Sequence, residues 1–171
     1  MRWRIRKCTL VFGGLCLTWA VLPLIFGERY IIINTSPSMP PGFYIRCNDS
    51  LKVGSIVDFK MPESARGYIR QRTRKECDNW YLLKPIIAGP GDFVDTTCDR
   101  VIINGHTVAN MPPKVDIAGN CLPRWCEARI LRLDEFFVLS DRIPNSFDSR
   151  CFGPIKRIQI EAVRTNMLRS Q

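Results

Sequence analysis

Apolar residues dominate one long stretch near the start of the chain. Residues 8–27 contain no charged side chain and are rich in Leu, Val, Phe and Trp. Because a helix rises about 1.5 Å per residue, about 20 residues reach about 30 Å, the thickness of a bilayer's hydrocarbon core. The pattern therefore predicts a transmembrane anchor. The rival, a cleavable signal peptide, needs a small-residue cleavage site, which Gly27-Glu28-Arg29-Tyr30 does not offer.

Short apolar runs follow the anchor, separated by Pro, Gly and polar residues. Runs rich in β-branched and aromatic residues and bounded in this way predict strands. They cover residues 30–33, 43–45, 53–59, 80–88, 101–108, 130–133, 136–139 and 155–163. A polar helix is predicted over residues 63–76, weakened by Gly67. We therefore expect a mostly β domain, a compact sheet assembly on a single N-terminal helix.

Three local signals refine this β-rich pattern. Pro85 lies inside the run 80–88 and has no N–H to give to a sheet, so it predicts a sheet edge or a bulge. The Gly-Pro-Gly-Asp sequence of residues 89–92 predicts a tight turn. Asn104-Gly105 predicts a type I′ hairpin turn, and the adjacent histidine then lies at a hairpin tip on the surface.

Composition and charge narrow the class of protein. The chain has 171 residues, 46% hydrophobic and 24% charged, which is typical of one folded domain with a membrane segment. A net charge of +9 would suggest a nucleic-acid partner, but Arg2, Arg4, Arg6 and Lys7 precede the anchor, where basic residues mark the cytoplasmic side. The basic cluster at residues 66–75 is typical of a solvated face, with anionic lipid headgroups as the next option. We therefore expect membrane lipid as a partner and no nucleic acid.

The eight cysteines fall into two groups, one in or beside the predicted anchor and one in the part of the chain that follows it. The basic N-terminus predicts that this second part is exported. Two lie in or beside the anchor, Cys8 and Cys16. Six lie in the exported part, where disulfides persist: Cys47, Cys77, Cys98, Cys121, Cys126 and Cys151. They allow about fifteen pairings, and Cys121 and Cys126 are close enough to bridge one loop of a cysteine-containing insert at about residues 96–135.

A zinc site is the competing interpretation of these cysteines. The exported part has no Cys-x-x-Cys pair, and His106 is the only histidine in the chain. These spacings do not match those that zinc prefers. We therefore expect no metal and no cofactor.

Ser38 is the first candidate for chemistry. It lies in residues 34–42, which have the sequence NTSPSMPPG. Each proline fixes its own φ and biases the residue before it towards extended backbone, so such a loop can hold a hydroxyl still. A rigid turn without chemistry is the other interpretation, and Ser-Pro-Ser alone leaves both open.

A lysine among apolar residues is the second candidate. Lys84 lies in residues 81–92, which have the sequence YLLKPIIAGPGD. A serine hydroxyl needs a base within hydrogen-bond reach before it becomes a good nucleophile. Burial disfavours the ammonium form and lowers the pKa of a lysine, so that its neutral amine can accept the proton. We therefore expect Ser38 to act as nucleophile and Lys84 as base.

Two further groups of side chains fit the same chemistry. Ser36 can donate a hydrogen bond to a developing oxyanion together with the backbone amide of the nucleophile. Residues 140–153, SDRIPNSFDSRCFG, concentrate hydroxyls and opposite charges in one predicted loop. In that loop we expect Ser146 to orient the lysine amine, and Asp148 and Arg150 to pair and hold the backbone.

These stretches resemble, in order, three boxes of the type I signal peptidases. Residues 36–41 resemble the Ser-x-Ser-Met-x-Pro box, and residues 84–92 resemble the lysine box with its Pro-Gly-Asp turn. Residues 140–153 resemble the Gly-Asp-Asn-Arg…Ser-x-Asp-Ser-Arg…Gly box. The Pro-Pro-Gly after the serine and the Arg-Gly-Tyr of residues 66–68 are closest to the conjugative-transfer branch of the family.

The resemblance implies a signal-peptidase/LexA-like β-sheet domain on a single transmembrane helix. It also implies a Ser-Lys endopeptidase that cleaves exported precursors, such as pilin subunits, after small residues. Residues 1–7 would then be cytoplasmic, residues 8–27 would cross the bacterial inner membrane once, and residues 28–171 would form the periplasmic peptidase domain. Some members of the branch join the new ends to give a cyclic pilin.

Two positions depart from the family pattern. Many signal peptidases have a basic residue directly after the lysine, whereas Pro85 follows here, so Asp148 depends on Arg150 for its partner. Ser140 replaces the glycine of the last box, and we expect it to touch no catalytic atom.

Two alternatives compete with this interpretation. A self-cleaving repressor of the LexA type also uses Ser and Lys, but it needs a DNA-reading helical domain where this chain has its predicted anchor. A non-catalytic, membrane-tethered interaction module of a conjugation or secretion apparatus would use the basic stretch to contact a partner. If precursor processing continues after Ser38 and Lys84 are replaced, the interaction module is favoured.

Overall fold

The computed structural model describes residues 30–75, 79–97, 99–116 and 119–167. The predicted cytoplasmic segment, residues 1–7, and the predicted anchor, residues 8–27, lie outside these ranges. No helix within them has the length and apolar content to cross a membrane. The chain divides into two compact units, Met1–Ile32 and Ile33–Gln171, and nearly all described residues belong to the second.

Strands dominate the described residues. In chain order the elements are β1 (Ile31–Asn34), β2 (Gly42–Cys47), β3 (Ile56–Lys60), α1 (Glu63–Thr73), β4 (Tyr81–Ala88), β5 (Phe93–Asp95), β6 (Arg100–Ile103), β7 (His106–Asn110), β8 (Ala128–Ile130), β9 (Glu135–Val138), α2 (Ser149–Phe152), β10 (Ile155–Lys156), a 3₁₀ turn (Arg157–Gln159) and β11 (Ile160–Asn166). The mostly β domain predicted from the short apolar runs is thereby confirmed.

The strands form two sheets. The larger has the order β1-β2-β11-β3-β4-β9-β10, and the smaller has the order β7-β6-β5-β8. The last long strand, β11, lies between β2 and β3 and pairs antiparallel with both. The smaller sheet is built from the segment between β4 and β9, where the sequence predicts an insert.

Strand β9 lies between two hydrophobic cores. Phe136 and Val138 belong to the core that packs against α1, whereas Phe137 and Leu139 belong to the core under the smaller sheet. This division follows from the pleat, because successive side chains of a strand point to opposite faces. The loop that begins at Ser140 therefore leaves a strand that is buried on both sides.

A buried ion pair ties two strands of the main sheet together. The Arg164 guanidinium on β11 donates to both carboxylate oxygens of Asp58 on β3, at 2.8 and 3.0 Å. Removing one partner of such a pair leaves an uncompensated buried charge and costs about 3–5 kcal/mol. The pair holds β3 in register, and β3 in turn pairs Val57 with Lys84 on β4.

The structure tests two local predictions, one for Pro85 and one for the Asn104-Gly105 turn. Pro85 is not at a sheet edge, because β4 lies between β3 and β9. The bulge alternative is correct: the register between β4 and β9 shifts between Ile86 and Ala88. Asn104 and Gly105 have φ angles of 51° and 83°, which are the positive values that the predicted type I′ turn requires.

Three predicted strands differ from the structure by three residues or more. The predicted strand at residues 53–59 begins only at Ile56, because Ser55 N donates to the carbonyl of Lys52 and closes a turn. The predicted strand at residues 130–133 is wrong beyond Ile130, because Glu135 N donates to the carbonyl of Arg132 and turns the chain. Leu133 is consequently 92% exposed. The predicted strand at residues 155–163 is split by the 3₁₀ turn Arg157–Gln159.

Every cysteine within the described ranges is a free thiol: Cys47, Cys121, Cys126 and Cys151. The predicted bridge between Cys121 and Cys126 is therefore not formed. Backbone pairing explains why, since Cys121 pairs with Val115, whereas Trp125, beside Cys126, donates its N–H to the carbonyl of Arg150. Two of the six cysteines predicted to be exported lie outside the described residues, Cys77 and Cys98.

Candidate active site

The loop between β1 and β2 carries the predicted nucleophile. We name residues 35–41 the nucleophile loop. Ser38 is 4% exposed, whereas Ser36 is exposed, and their Oγ atoms are 3.0 Å apart. The Ser36 hydroxyl therefore lies beside the predicted nucleophile, where a hydrogen bond to a nearby oxyanion is within its reach.

Lys84 extends from the middle of β4 towards this loop. Buried and half-buried positions alternate along the middle of β4, so Lys84 and Ile86 share one face of the strand. Lys84 is 4% exposed, and its Nζ is hydrogen-bonded to the Ser38 Oγ. The structure thus brings together the two residues that the sequence predicts as nucleophile and base, 46 positions apart along the chain.

Burial lowers the pKa of Lys84 from 10.5 to about 8. The main cause is desolvation, because the ammonium loses its hydration inside the protein. Two nearby charges act in opposite directions: Asp148 raises this pKa and Arg150 lowers it. A substantial fraction of the amine is therefore neutral at mildly alkaline pH.

Asp148 and Arg150 form the ion pair predicted for the last box. The guanidinium donates to both carboxylate oxygens, from Nε at 2.9 Å and from Nη2 at 2.8 Å, and both side chains are almost fully buried. The Arg150 side chain also donates to the carbonyls of Asn110 and Ser140. A guanidinium with its donors used in this way holds several backbone segments at once.

The segment between β7 and β9 supports this ion pair from outside. Trp125 N donates to the carbonyl of Arg150 at 2.8 Å. The Trp125 ring packs against Phe137, lies under the Arg129 guanidinium, and passes so close to Gly153 that a Cβ there would be 2.9 Å from it. The insert therefore fixes the backbone on which the ion pair is built.

Ser140 makes a contact that the sequence does not predict. Its buried hydroxyl donates to the backbone carbonyl of Ser38, which is not one of the proposed catalytic atoms. Two residues further on, Arg142 Nε donates to the carbonyl of Pro37 at 3.4 Å. The start of the last box is thus bound to the nucleophile loop. Sequence carries no signal for this contact, because it joins residues about 100 positions apart.

Ser146 is placed differently from its predicted role. Its hydroxyl is buried and has no hydrogen-bond partner within the described part of the chain. The predicted bond to the lysine amine is therefore not formed, and the orienting role of Ser146 stays a prediction. Its own carbonyl lies 3.5 Å from the Arg150 guanidinium.

A buried cysteine near Ser38 and Lys84 does not compete as a nucleophile. Burial, followed by the nearby Asp148 carboxylate, raises the pKa of Cys151 to about 12. Since the thiolate is the reactive form, this side chain stays a protonated thiol in the pH range of ordinary assays. Among the described residues, no group of three or more His, Cys, Asp and Glu side chains is arranged to hold a metal ion.

An open cavity of about 390 Å³ lies beside the nucleophile loop. Its lining includes Met39 and Pro85, the immediate chain neighbours of the two candidate residues, together with Ser140 and Arg142. Neither Ser38 nor Lys84 lines this cavity.

The domain buries a candidate nucleophile, the Ser38 hydroxyl, against a candidate base, the Lys84 amine. Comparison with known proteins agrees. Residues 4–167 match the family model described as signal peptidase, peptidase S26, and the chain belongs to this family. The resemblance drawn from the three boxes is thereby confirmed. Membership of this family supports the interpretation of the chain as a serine peptidase.

Individual proteins are also similar to this chain along most of its length. Two proteins of Escherichia coli named plasmid transfer protein TraF are 32% and 34% identical to this chain, and each alignment covers 94% of this chain and 93% of the relative. Among solved structures, the signal peptidase I of Enterococcus faecalis V583 is 22% identical, with a TM-score of 0.44, over 68% of this chain and 98% of that chain.

Proposed function

We propose that this chain is a membrane-anchored serine endopeptidase in which Ser38 is the nucleophile and Lys84 is the general base. The observation that carries the proposal is the buried hydrogen bond between the lysine amine and the serine hydroxyl. The lowered pKa of the amine, about 8, supports it, because only the neutral amine can accept a proton.

Acylation follows from this arrangement. Lys84 takes the hydroxyl proton as Ser38 Oγ bonds to the carbonyl carbon of the scissile peptide. The carbonyl oxygen becomes an oxyanion, and the Ser36 hydroxyl and the Ser38 N–H are the donors proposed to stabilise it. The C–N bond then breaks, the Lys84 ammonium gives its proton to the leaving amine, and an acyl ester remains on Ser38.

Two groups can attack the acyl ester. Water gives a free carboxylic acid and therefore a linear product. The amino end of the same peptide gives a new amide bond and therefore a cyclic product. In both reactions Lys84 accepts a proton from the attacking group, and the departing Ser38 oxygen receives it back.

The substrate and the compartment belong to the same proposal. Membership of the signal peptidase family supports exported precursor proteins as substrates, and the names of the plasmid transfer relatives support a role in conjugation. We infer that the precursor is a pilin subunit. In this proposal residues 1–7 are cytoplasmic, residues 8–27 cross the inner membrane once, and residues 28–171 act in the periplasm next to membrane lipid.

Paired substitutions test the proposal. Membranes that contain the full chain are mixed with pilin precursor, and processing is followed for Ser38→Ala and Lys84→Ala. Ser50→Ala and Lys52→Ala serve as matched controls, because both residues are exposed. Loss of processing in the first pair alone supports the dyad.

The opposite result favours the interaction module. If Ser38→Ala and Lys84→Ala both process the precursor at the wild-type rate, neither side chain takes part in catalysis. Mass spectrometry of the wild-type product separates the two fates of the acyl ester, since a cyclic peptide is one water lighter than its linear form.

A further inference from the structure

We propose that Asn34 is a positioning residue whose side-chain amide holds the nucleophile loop in shape, so that the Ser38 hydroxyl stays against the Lys84 amine. This inference rests on the proposed function, since it gives Asn34 a task in a reaction that begins at Ser38. Asn34 is the last residue of β1 and is 9% exposed. Its described hydrogen bonds go to backbone atoms of the loop.

The nucleophile loop has few means to order itself. Three of its seven residues, Pro37, Pro40 and Pro41, have no backbone N–H to donate. The backbone hydrogen bond within the loop runs from Met39 N to the carbonyl of Ser36 and is long, at 3.3 Å. A loop with so few donors of its own needs donors from elsewhere to fix its carbonyl groups.

The Asn34 amide is one source of such donors, alongside the Ser140 hydroxyl, the Arg142 guanidinium and the Tyr44 hydroxyl, which donates to the Pro40 carbonyl at 2.9 Å. The Asn34 Nδ2 lies 3.1 Å from the Ser36 carbonyl oxygen, 3.1 Å from that of Met39 and 3.0 Å from that of Pro40. The Nδ2 group has two hydrogens for these three acceptors, so at least one hydrogen is shared. The Oδ1 atom in turn accepts from Ser36 N at 3.2 Å, which is the Asx-turn bond of an Asn to the residue two positions on.

These contacts fix the loop on both sides of the nucleophile. The carbonyls of Ser36 and Met39 flank Ser38 in the chain, and one amide group binds both. Lys84, by contrast, lies on a strand in the interior of the main sheet. The loop is therefore the partner that moves if the contact loosens, and a displacement of about 1 Å at a reacting group can lower a rate about a hundredfold.

Two substitutions in the full chain separate this role from simple stabilisation. Asn34→Ala removes the donors and the acceptor. Asn34→Asp keeps the size and the acceptor but points a carboxylate oxygen at three carbonyl oxygens. Positioning predicts that Asn34→Asp is the slower variant, whereas a role in packing predicts that this isosteric change is the milder one. Asn48→Asp is the control, because Asn48 is exposed.

The readout is single-turnover cleavage of an internally quenched peptide with alanine on the acyl side of the cleaved bond. With enzyme in saturating excess, the limiting rate constant does not depend on the folded fraction, whereas the half-saturating enzyme concentration does. We expect the limiting rate constant to fall about tenfold in Asn34→Ala and about a hundredfold in Asn34→Asp. We expect no change in Asn48→Asp.

Two results would overturn the inference. One is a wild-type limiting rate constant in both Asn34 variants, with only the half-saturation point raised. The other is an Asn34→Asp variant that is faster than Asn34→Ala. Ser38→Ala is measured in parallel: cleavage that persists in it refutes the proposed function itself, whereas its loss together with unaffected Asn34 variants refutes only the role of Asn34.

Discussion

Replacing Gly153 by alanine tests how tightly the insert is packed against the Asp148–Arg150 loop. Gly153 follows α2 with φ 81° and ψ −173°, a region that is almost exclusive to glycine. An added Cβ would lie 2.9 Å from Trp125 Cδ1 and 3.0 Å from Nε1. The indole has little room to yield, because it packs on Phe137 and lies under the Arg129 guanidinium.

Two costs add in this variant. The backbone conformation costs a non-glycine residue about 1–3 kcal/mol. Overpacking against the ring costs about 1–3 kcal/mol more. We therefore expect the free energy of unfolding to fall by about 4 kcal/mol. The control is Gly105→Ala, at φ 83° with nothing within 4 Å of the added Cβ, for which we expect a loss of about 1 kcal/mol.

Denaturant unfolding of the full chain in mild detergent measures both losses. The same comparison in a Trp125→Ala background isolates the ring, since the cost of Gly153→Ala should then fall by about 2 kcal/mol. Peptide cleavage should fall with stability, because Trp125 also binds the Arg150 backbone. Equal costs for Gly153→Ala and Gly105→Ala, or no change in the Trp125→Ala background, would refute the packing argument.

Two further predictions concern the loop that supports the dyad. Asp148→Ala leaves the buried Arg150 guanidinium without its carboxylate, so the free energy of unfolding should fall by about 3–5 kcal/mol; a loss typical of an exposed residue would contradict this. Ser140→Ala leaves the Ser38 carbonyl without its buried donor, which should cost about 1–3 kcal/mol by thermal unfolding and slow peptide cleavage. Ser146→Ala is its control, since its hydroxyl has no described partner and its loss should leave stability unchanged; equal losses in both variants would contradict the assignment.

Local chemistry explains why much of the site could be predicted from the sequence. Proline spacing indicated a rigid loop around Ser38, and apolar neighbours indicated a buried Lys84. Both features depend on residues within a few positions of each side chain, so they survive without knowledge of the fold. The same reasoning predicted the bulge near Pro85 and the hairpin turn at Asn104-Gly105, since each follows from the backbone preferences of the residues themselves.

Contacts between distant segments explain what the sequence could not predict. The hydroxyl of Ser140 reaches the Ser38 carbonyl because β9 and the nucleophile loop end near each other, and no local pattern encodes that approach. Leu133 has the apolar character of a strand residue but lies in a turn, which the alternation of Leu131 and Leu133 does not distinguish from a strand. Cys121 and Cys126 are near in sequence, yet the backbone of each segment pairs elsewhere.

The pH dependence of kcat/KM tests the central claim, that a neutral Lys84 amine takes the Ser38 proton. The neutral amine is the active form, so activity is present above its pKa of about 8 and is lost as the pH falls. We expect kcat/KM of the wild-type enzyme to rise about tenfold per pH unit below about pH 8 and then to level off. A rate that is flat from about pH 6 to pH 9 would contradict the account, because a lysine that titrates in this range could not then be the base.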